Sequence, residues 1–294
     1  MSRKITGVLT AIVTPFDDDG ALNPPALRQQ VKRQLDAGNG IFCGGTNGEF
    51  FVLNEREKVA VAETCMDEVA GRASVVAHIG EISTRETIRL GKQIAALGVD
   101  AVSVITPWFV PLKQDELIAH YTAVADALSV PVFMYNIPAR TGNTIEPQTV
   151  RTLASHPNII GIKDSAGSYE SLSHFLEAVK ESEDFDVLNG PDSLIHQGFV
   201  DGCSACISGL ANVAPKEINA IWSRFNAGDI AGSHQAQESV TGLRTELYKV
   251  AFSPAVVKKA LQLMGHDVGN SRYAVHFSDA QLAQIKHIIH TWLQ

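Results

Sequence analysis

The sequence is short of cysteine, of net positive charge and of long apolar runs, and each shortage removes a class of function. Four cysteines in 294 residues fit an expected cytoplasmic location better than a disulfide framework. Cys203 and Cys206 have C-x-x-C spacing, but no second pair completes a zinc site, so small buried thiols are expected. Lys and Arg number 24 against 32 Asp and Glu, a formal net charge of -8. Nucleic-acid and anionic-membrane binding need clustered Lys and Arg and are not expected. No apolar run reaches the roughly 18 residues of a membrane span. The stretch MSRKITGVLTAIVTPF lacks the apolar core of about 7–15 residues found in secretory signals, so a cytoplasmic location is expected. Metal ligands are also sparse. His287 and His290 share a helix face without a carboxylate cluster, and Asp17-Asp18-Asp19-Gly20 lacks the flanking helices and later glutamate of a calcium loop.

What is present is a rhythm. Short apolar, β-branched runs recur at residues 7–14, 40–44, 74–80, 101–105, 131–136, 159–163, 186–190 and 204–209, with helical periodicity between them. They show no polar alternation, which implies burial on both faces and hence a parallel sheet covered by helices. Helix starts are marked by Asn54-Glu55-Arg56-Glu57 and Ser83-Thr84-Arg85-Glu86, both with the capping-box pattern, and by Pro24-Pro25 and Pro215. Eight such units in about 225 residues match a (β/α)8 TIM barrel. An open doubly wound sheet is the alternative, but no G-x-G-x-x-G follows the first strand. Residues 226–294 carry no strand signal and read as a C-terminal helical extension of the barrel at 1–225.

Active sites of such barrels lie at the C-terminal strand ends. Lys163 closes the apolar run Ile159-Ile160-Gly161-Ile162 and shares its strand face with Gly161, which would leave room beside its stem. Burial penalises the charged form of a lysine, and a neutral amine is a nucleophile for ketones and aldehydes. YNIPARTG ends the fifth strand with Tyr135, Asn136 and Arg140: a phenol that can carry protons and a guanidinium that can grip a carboxylate. GGTNGEF ends the second strand, where Gly44, Gly45 and Gly48 allow backbone N–H groups to converge on an anion beside Thr46 and Asn47.

GGTNGE, YNIPARTG, GIKDSAG, NGPDSLI and SGLAN, in this order and over nearly the whole chain, resemble the dihydrodipicolinate synthase and N-acetylneuraminate lyase family of class I, Schiff-base aldolases. The resemblance implies that Lys163 forms an imine with pyruvate or another 2-oxo acid, while Tyr135 shuttles protons. Thr46 and Asn47 would hold the 2-oxo acid carboxylate, and Gly190 and Ile207 would line the pocket. It implies no metal or organic cofactor, and a homotetramer arranged as a dimer of dimers.

Arg140 within RTG is similar to the synthases that condense pyruvate with aspartate semialdehyde, where it would hold the second substrate. TPWFVP departs from them: Trp108 and Phe109 stand where those synthases place a proton-relaying tyrosine, with Tyr121 and Tyr169 as possible replacements elsewhere. Asn47 stands where the synthases have a second threonine. Glu55, Lys58 and Ile82 replace the residues that bind feedback lysine. The expectation is therefore a lyase, aldolase or dehydratase, that cleaves a 2-keto-3-deoxy or 4-hydroxy-2-oxo acid to a 2-oxo acid and an aldehyde. A synthase is the alternative, and a non-catalytic 2-oxo-acid binder is a second one.

Overall fold

The computed structural model describes residues 5–182 and 184–293. The first four residues of the amino-terminal stretch quoted above lie outside them. Eight strands follow chain order around a closed parallel barrel: β1 (Gly7–Ala11), β2 (Gly40–Cys43), β3 (Val75–His78), β4 (Ala101–Ile105), β5 (Val132–Asn136), β6 (Ile159–Asp164), β7 (Asp186–Asn189) and β8 (Ala205–Ser208). All eight coincide with the apolar runs: β4 matches its run in full, β6 continues one residue further to Asp164, and the others are trimmed at their ends. Burial on both faces is the reason they were legible: every residue of β1, β4 and β5 is buried.

The helices among the described residues are α1 (Pro24–Asp36), α2 (Glu55–Val69), α3 (Thr84–Ala95), α4 (Gln114–Ala127), α5 (Pro138–Thr141), α6 (Pro147–Leu153), α7 (Tyr169–Val179), α8 (Ile195–Val200), α9 (Pro215–Asn226), α10 (Ile230–Val250), α11 (Ser253–Leu263) and α12 (Asp279–Leu293). None is long and apolar enough to cross a membrane. The capping box at Asn54 forms in full, with Glu57 N donating to Asn54 Oδ1 at 3.1 Å and Asn54 N to Glu57 Oε2 at 2.9 Å. At α3 the Ser83 hydroxyl accepts from Glu86 N at 3.2 Å, but the Glu86 carboxylate turns to Arg89 Nε at 2.8 Å.

The chain falls into two compact units. One comprises Ser74–Ile207 with the residues up to Thr6, the other Gly7–Ala73 with Ser208–Gln294. In the first, α3 and α4 are tied by Thr84 Oγ1 and His120 Nδ1 at 2.9 Å. His120 is 4% exposed, and burial pushes its pKa down to about 4.

In the second unit, Asn212 staples the segment after β8 to β1. Its amide donates to Ala11 O and Gly209 O, both at 2.8 Å, and its carbonyl accepts from Val13 N at 3.0 Å. A buried ion pair anchors the loop after β2. Glu49 is fully buried and left-handed, with φ 56°, and its carboxylate meets Lys258 Nζ at 2.7 Å. Arg272 N donates to the other carboxylate oxygen at 3.0 Å. The Lys258 ammonium sits 3.9 Å from the Phe16 ring centroid, and the Arg272 guanidinium lies 4.1 Å from the same ring. Arg272 also pairs with both Glu57 oxygens, at 2.9 and 2.7 Å. Burial pulls the Lys258 pKa down to about 8 although the Glu49 carboxylate opposes it.

Two predictions follow from these buried groups. His120 is neutral in the fold and has its usual value of 6.5 when unfolded. The unfolded chain thus binds more protons below pH 6.5, and stability present above that pH is lost as pH falls towards 4. His120→Phe is expected to remove up to about 3 kcal/mol of this fall, read from urea unfolding of both proteins across the interval. Lys258→Met leaves the Glu49 charge buried alone and is expected to cost about 3–5 kcal/mol in the same assay. Adding Glu49→Gln to Lys258→Met is expected to recover part of that loss.

Candidate active site

Parallel pairing of β5 and β6 sets the central geometry. The register places Tyr135 opposite Lys163 and Asn136 opposite Asp164. Period-two alternation therefore gives the two strands one matched pair on each face. Tyr135 is 1% and Lys163 4% exposed, and Lys163 Nζ lies 3.7 Å from the Tyr135 ring centroid. The His78 ring meets the Tyr135 ring edge-on, with centroids 6.0 Å apart. Lys163 is thus held inside the fold with its nitrogen on the phenol.

On the other face, Asn136 Nδ2 donates to Asp164 Oδ1 at 2.9 Å, and Ala166 N donates to the same oxygen at 3.2 Å. Burial pushes the Asp164 carboxyl above the usual carboxylate value, opposed by these hydrogen bonds. The Asn136 carbonyl accepts from Ile145 N at 3.1 Å and so draws the 137–145 loop back onto the strand. Gly161 does not leave room beside the lysine stem, as its spacing suggested. A Cβ there would lie 2.4 Å from Asp186 O and 2.5 Å from the Phe133 ring. The glycine admits the Asp186 backbone and the Phe133 ring.

Arg140 lies on the short helix α5 and is exposed. Gly142 ends that helix with φ 76°. The next residue, Asn143, went unread in the sequence but organises two loops. Its amide donates to Pro107 O and Val110 O at 2.8 Å, and its carbonyl accepts from Leu112 N at 2.8 Å. Thr106 donates to Thr141 at 2.8 Å beneath it. The loop so held presents Phe109 at 90% exposure with φ 76°, unusual for a bulky residue. Trp108 is half-buried and Val110 exposed. An Asn after a glycine-terminated turn was the available signal for Asn143, and it is a faint one.

The two substitute phenols have other partners in the fold. Tyr121 is fully buried, and its hydroxyl donates to Val104 O at 3.1 Å. Tyr169 is 46% exposed, and its hydroxyl is engaged by Asp201. Gly190 packs where a Cβ would lie 2.1 Å from Ser165 Oγ and 2.5 Å from Asp164 O, and Gly190 N donates to Asp164 O at 2.8 Å. Ile207 is buried in β8.

In the second unit, the residues after β2 fold into a tight turn. Gly44 is left-handed with φ 66°, and a Cβ at Gly45 would lie 2.4 Å from the Phe42 ring. Thr14 Oγ1 donates to Gly48 O at 2.7 Å. Thr46 and Asn47 are half-buried at the crest of this turn. The Asn47 amide lies against Gly209, where a Cβ would be 2.5 Å from Nδ2, and Asn47 Oδ1 is buried with no hydrogen-bond partner.

All four thiols are buried. Cys203 precedes β8, which holds Cys206, and burial pushes its thiol up to about 12. Cys206 is raised by burial as well, while Cys65 is raised first by its hydrogen bond with Cys43. Among the described residues no group of three or more His, Cys, Asp or Glu could hold a metal ion. Asp17 to Asp19 form an exposed turn, with Ala21 N donating to Asp17 Oδ1 at 2.7 Å.

Comparisons with known proteins agree with this architecture. The model of the dihydrodipicolinate synthetase family matches residues 4–290. An uncharacterised DapA-like lyase of Halobacterium salinarum is 36% identical over 90% of this chain and 86% of that protein. A 4-hydroxy-tetrahydrodipicolinate synthase of Trichlorobacter lovleyi is 35% identical over 88% of each. The solved structure of YagE, a prophage protein of the dihydrodipicolinic acid synthase family from E. coli K12 in complex with pyruvate, superposes with a TM-score of 0.93 at 30% identity, covering 98% of both chains. With its closed barrel and its match across nearly the full length, the chain belongs to the dihydrodipicolinate synthetase family.

Proposed function

We propose that the protein is a Schiff-base lyase that cleaves a 2-keto-3-deoxy or 4-hydroxy-2-oxo acid to pyruvate, or a related 2-oxo acid, and an aldehyde. Membership of a family of synthases and lyases supports an enzyme of this class. The observation that carries the reading is the buried Lys163 amine 3.7 Å from the centre of the Tyr135 ring.

In this reading the Lys163 nitrogen attacks the ketone carbon of the 2-oxo acid. The carbinolamine loses water to give a protonated imine. Loss of the 4-hydroxyl proton then breaks the C3–C4 bond, its electron pair flows to the imine nitrogen, and the aldehyde departs. The enamine takes a proton at C3, and water releases the 2-oxo acid and restores the lysine. Tyr135 carries protons at the hydroxyl and imine stages. Covalent capture divides one difficult bond cleavage into easier steps. The imine itself is the electron sink, so the reaction needs no metal or organic cofactor. Thr46 and Asn47 hold the 2-oxo acid carboxylate; the unengaged end of the Asn47 amide, turned to present its NH2, suits that task. Gly190 and Ile207 line the pocket, and Arg140 grips an acidic or polyhydroxylated tail. The exposed Phe109 and Val110 support burial of their loop against a second subunit, within a homotetramer.

A synthase that condenses pyruvate with aspartate semialdehyde is the second reading, favoured by the synthases among the relatives. The side chain at Phe109 separates the two, because a phenyl ring cannot pass a proton. Phe109→Tyr is expected to leave pyruvate release from 4-hydroxy-2-oxoglutarate and 2-keto-3-deoxy acids within about twofold. A rise in aspartate semialdehyde condensation in that variant would move the assignment to the synthase. For the chemistry itself, borohydride with pyruvate is expected to label the wild-type chain at Lys163. Lys163→Ala should stay folded, take no label and lose at least about a thousandfold in rate. An unlabelled wild type would sink the lyase reading and leave a non-catalytic binder.

A further inference from the structure

The C-terminal residues of the second unit surround a cavity of about 360 Å³. Lys258 and Lys259 of α11 line it, together with Ser271, Val275, Phe277 and Leu282, and among the described residues no Asp or Glu does. The two lysines differ in one respect. Lys258 is neutralised by Glu49 at 2.7 Å. Lys259 is half-buried, and its Nζ meets the uncharged Asn270 Oδ1 at 3.3 Å and lies 5.8 Å from the Phe277 ring centroid. Among the described residues it has no carboxylate partner. Burial lowers its pKa with no opposing carboxylate. Ser271 Oγ is buried and has no hydrogen-bond partner. A cation without a counter-charge, an unengaged hydroxyl and an apolar floor thus share one concavity.

We propose that this cavity binds a small organic carboxylate, with the carboxylate on Lys259 and Ser271 and an apolar body against Val275, Phe277 and Leu282. The volume falls at the lower end of small-molecule sites, which run from about 300 Å³ upwards. An ion pair to a half-buried ammonium is a charge-assisted hydrogen bond, the stronger kind. None of these residues takes part in the proposed imine chemistry, so the proposal stands whether or not Lys163 forms an imine.

Phenylacetate, titrated calorimetrically into the full chain, is a suitable probe. Saturable one-site binding is expected in the wild type and equally in Lys163→Ala. Lys259→Gln is expected to weaken it roughly tenfold or more, and Lys259→Arg to retain most of it. Absence of saturable heat in the wild type would overturn the proposal. So would unchanged binding in Lys259→Gln, or loss of the signal in Lys163→Ala, which would assign it to the barrel lysine. Inorganic phosphate run alongside is expected to bind more weakly; equal affinity would overturn the assignment of an apolar-bodied ligand.

Discussion

The site is organised by the register between two neighbouring parallel strands. Pairing Tyr135 with Lys163 and Asn136 with Asp164 is one decision, because a slip of one residue would turn each side chain to the opposite face. The outer pair is therefore as informative as the inner one. Asn136 and Asp164 bond across the strands, and the Gly190 and Ser165 backbones close around them by hydrogen bonds at 2.8 Å each. These contacts fix the strand ends without touching the inner face. That division lets the amine and phenol be placed by rigid backbone, the support that a positioned side-chain pair requires.

The loop carrying Thr46 and Asn47 is held in a different way. Its shape depends on Glu49 staying left-handed, a conformation that costs a non-glycine residue energy unless its surroundings enforce it. Lys258 and the Arg272 backbone enforce it by gripping the carboxylate from both sides. A buried ion pair adds little net stability over an apolar pair of the same shape. Here its value is geometric: it couples one left-handed residue to the C-terminal helices. The residues after the last strand thus act as the frame on which a Gly-rich loop is set.

These two devices differ in how far they could be read from sequence. The barrel was legible because each strand is a buried run and most helices begin at a capping side chain or a proline. Lys163 and Tyr135 were legible because each ends such a run, where a polar residue needs a reason. Asn136 and Asp164 sit beside them, but only the register shows that they meet. Glu49 and Lys258 were hidden for a plainer reason. Neither residue type announces burial, they lie far apart in sequence, and their pairing exists only once the C-terminal helices pack. Gly161 shows the other kind of miss: the residue was singled out correctly, while its reason, the Phe133 ring and the Asp186 carbonyl, belongs to neighbouring strands.

The same contrast explains why reaction class is easier to read than substrate. The amine and phenol stand on strands, where neighbouring elements dictate position. Arg140 and Phe109 stand on loops whose shape is set by Asn143 and Thr141, side chains that hold the backbone while leaving the loop tips free to vary. Changing Phe109 alters nothing in that scaffold, since the scaffold grips Pro107 O and Val110 O on either side of it. A fold built this way can exchange tip residues without disturbing the strand-borne pair Lys163 and Tyr135. The Phe109 ring, 90% exposed on a residue held at φ 76°, is thus free of packing demands although its backbone is not.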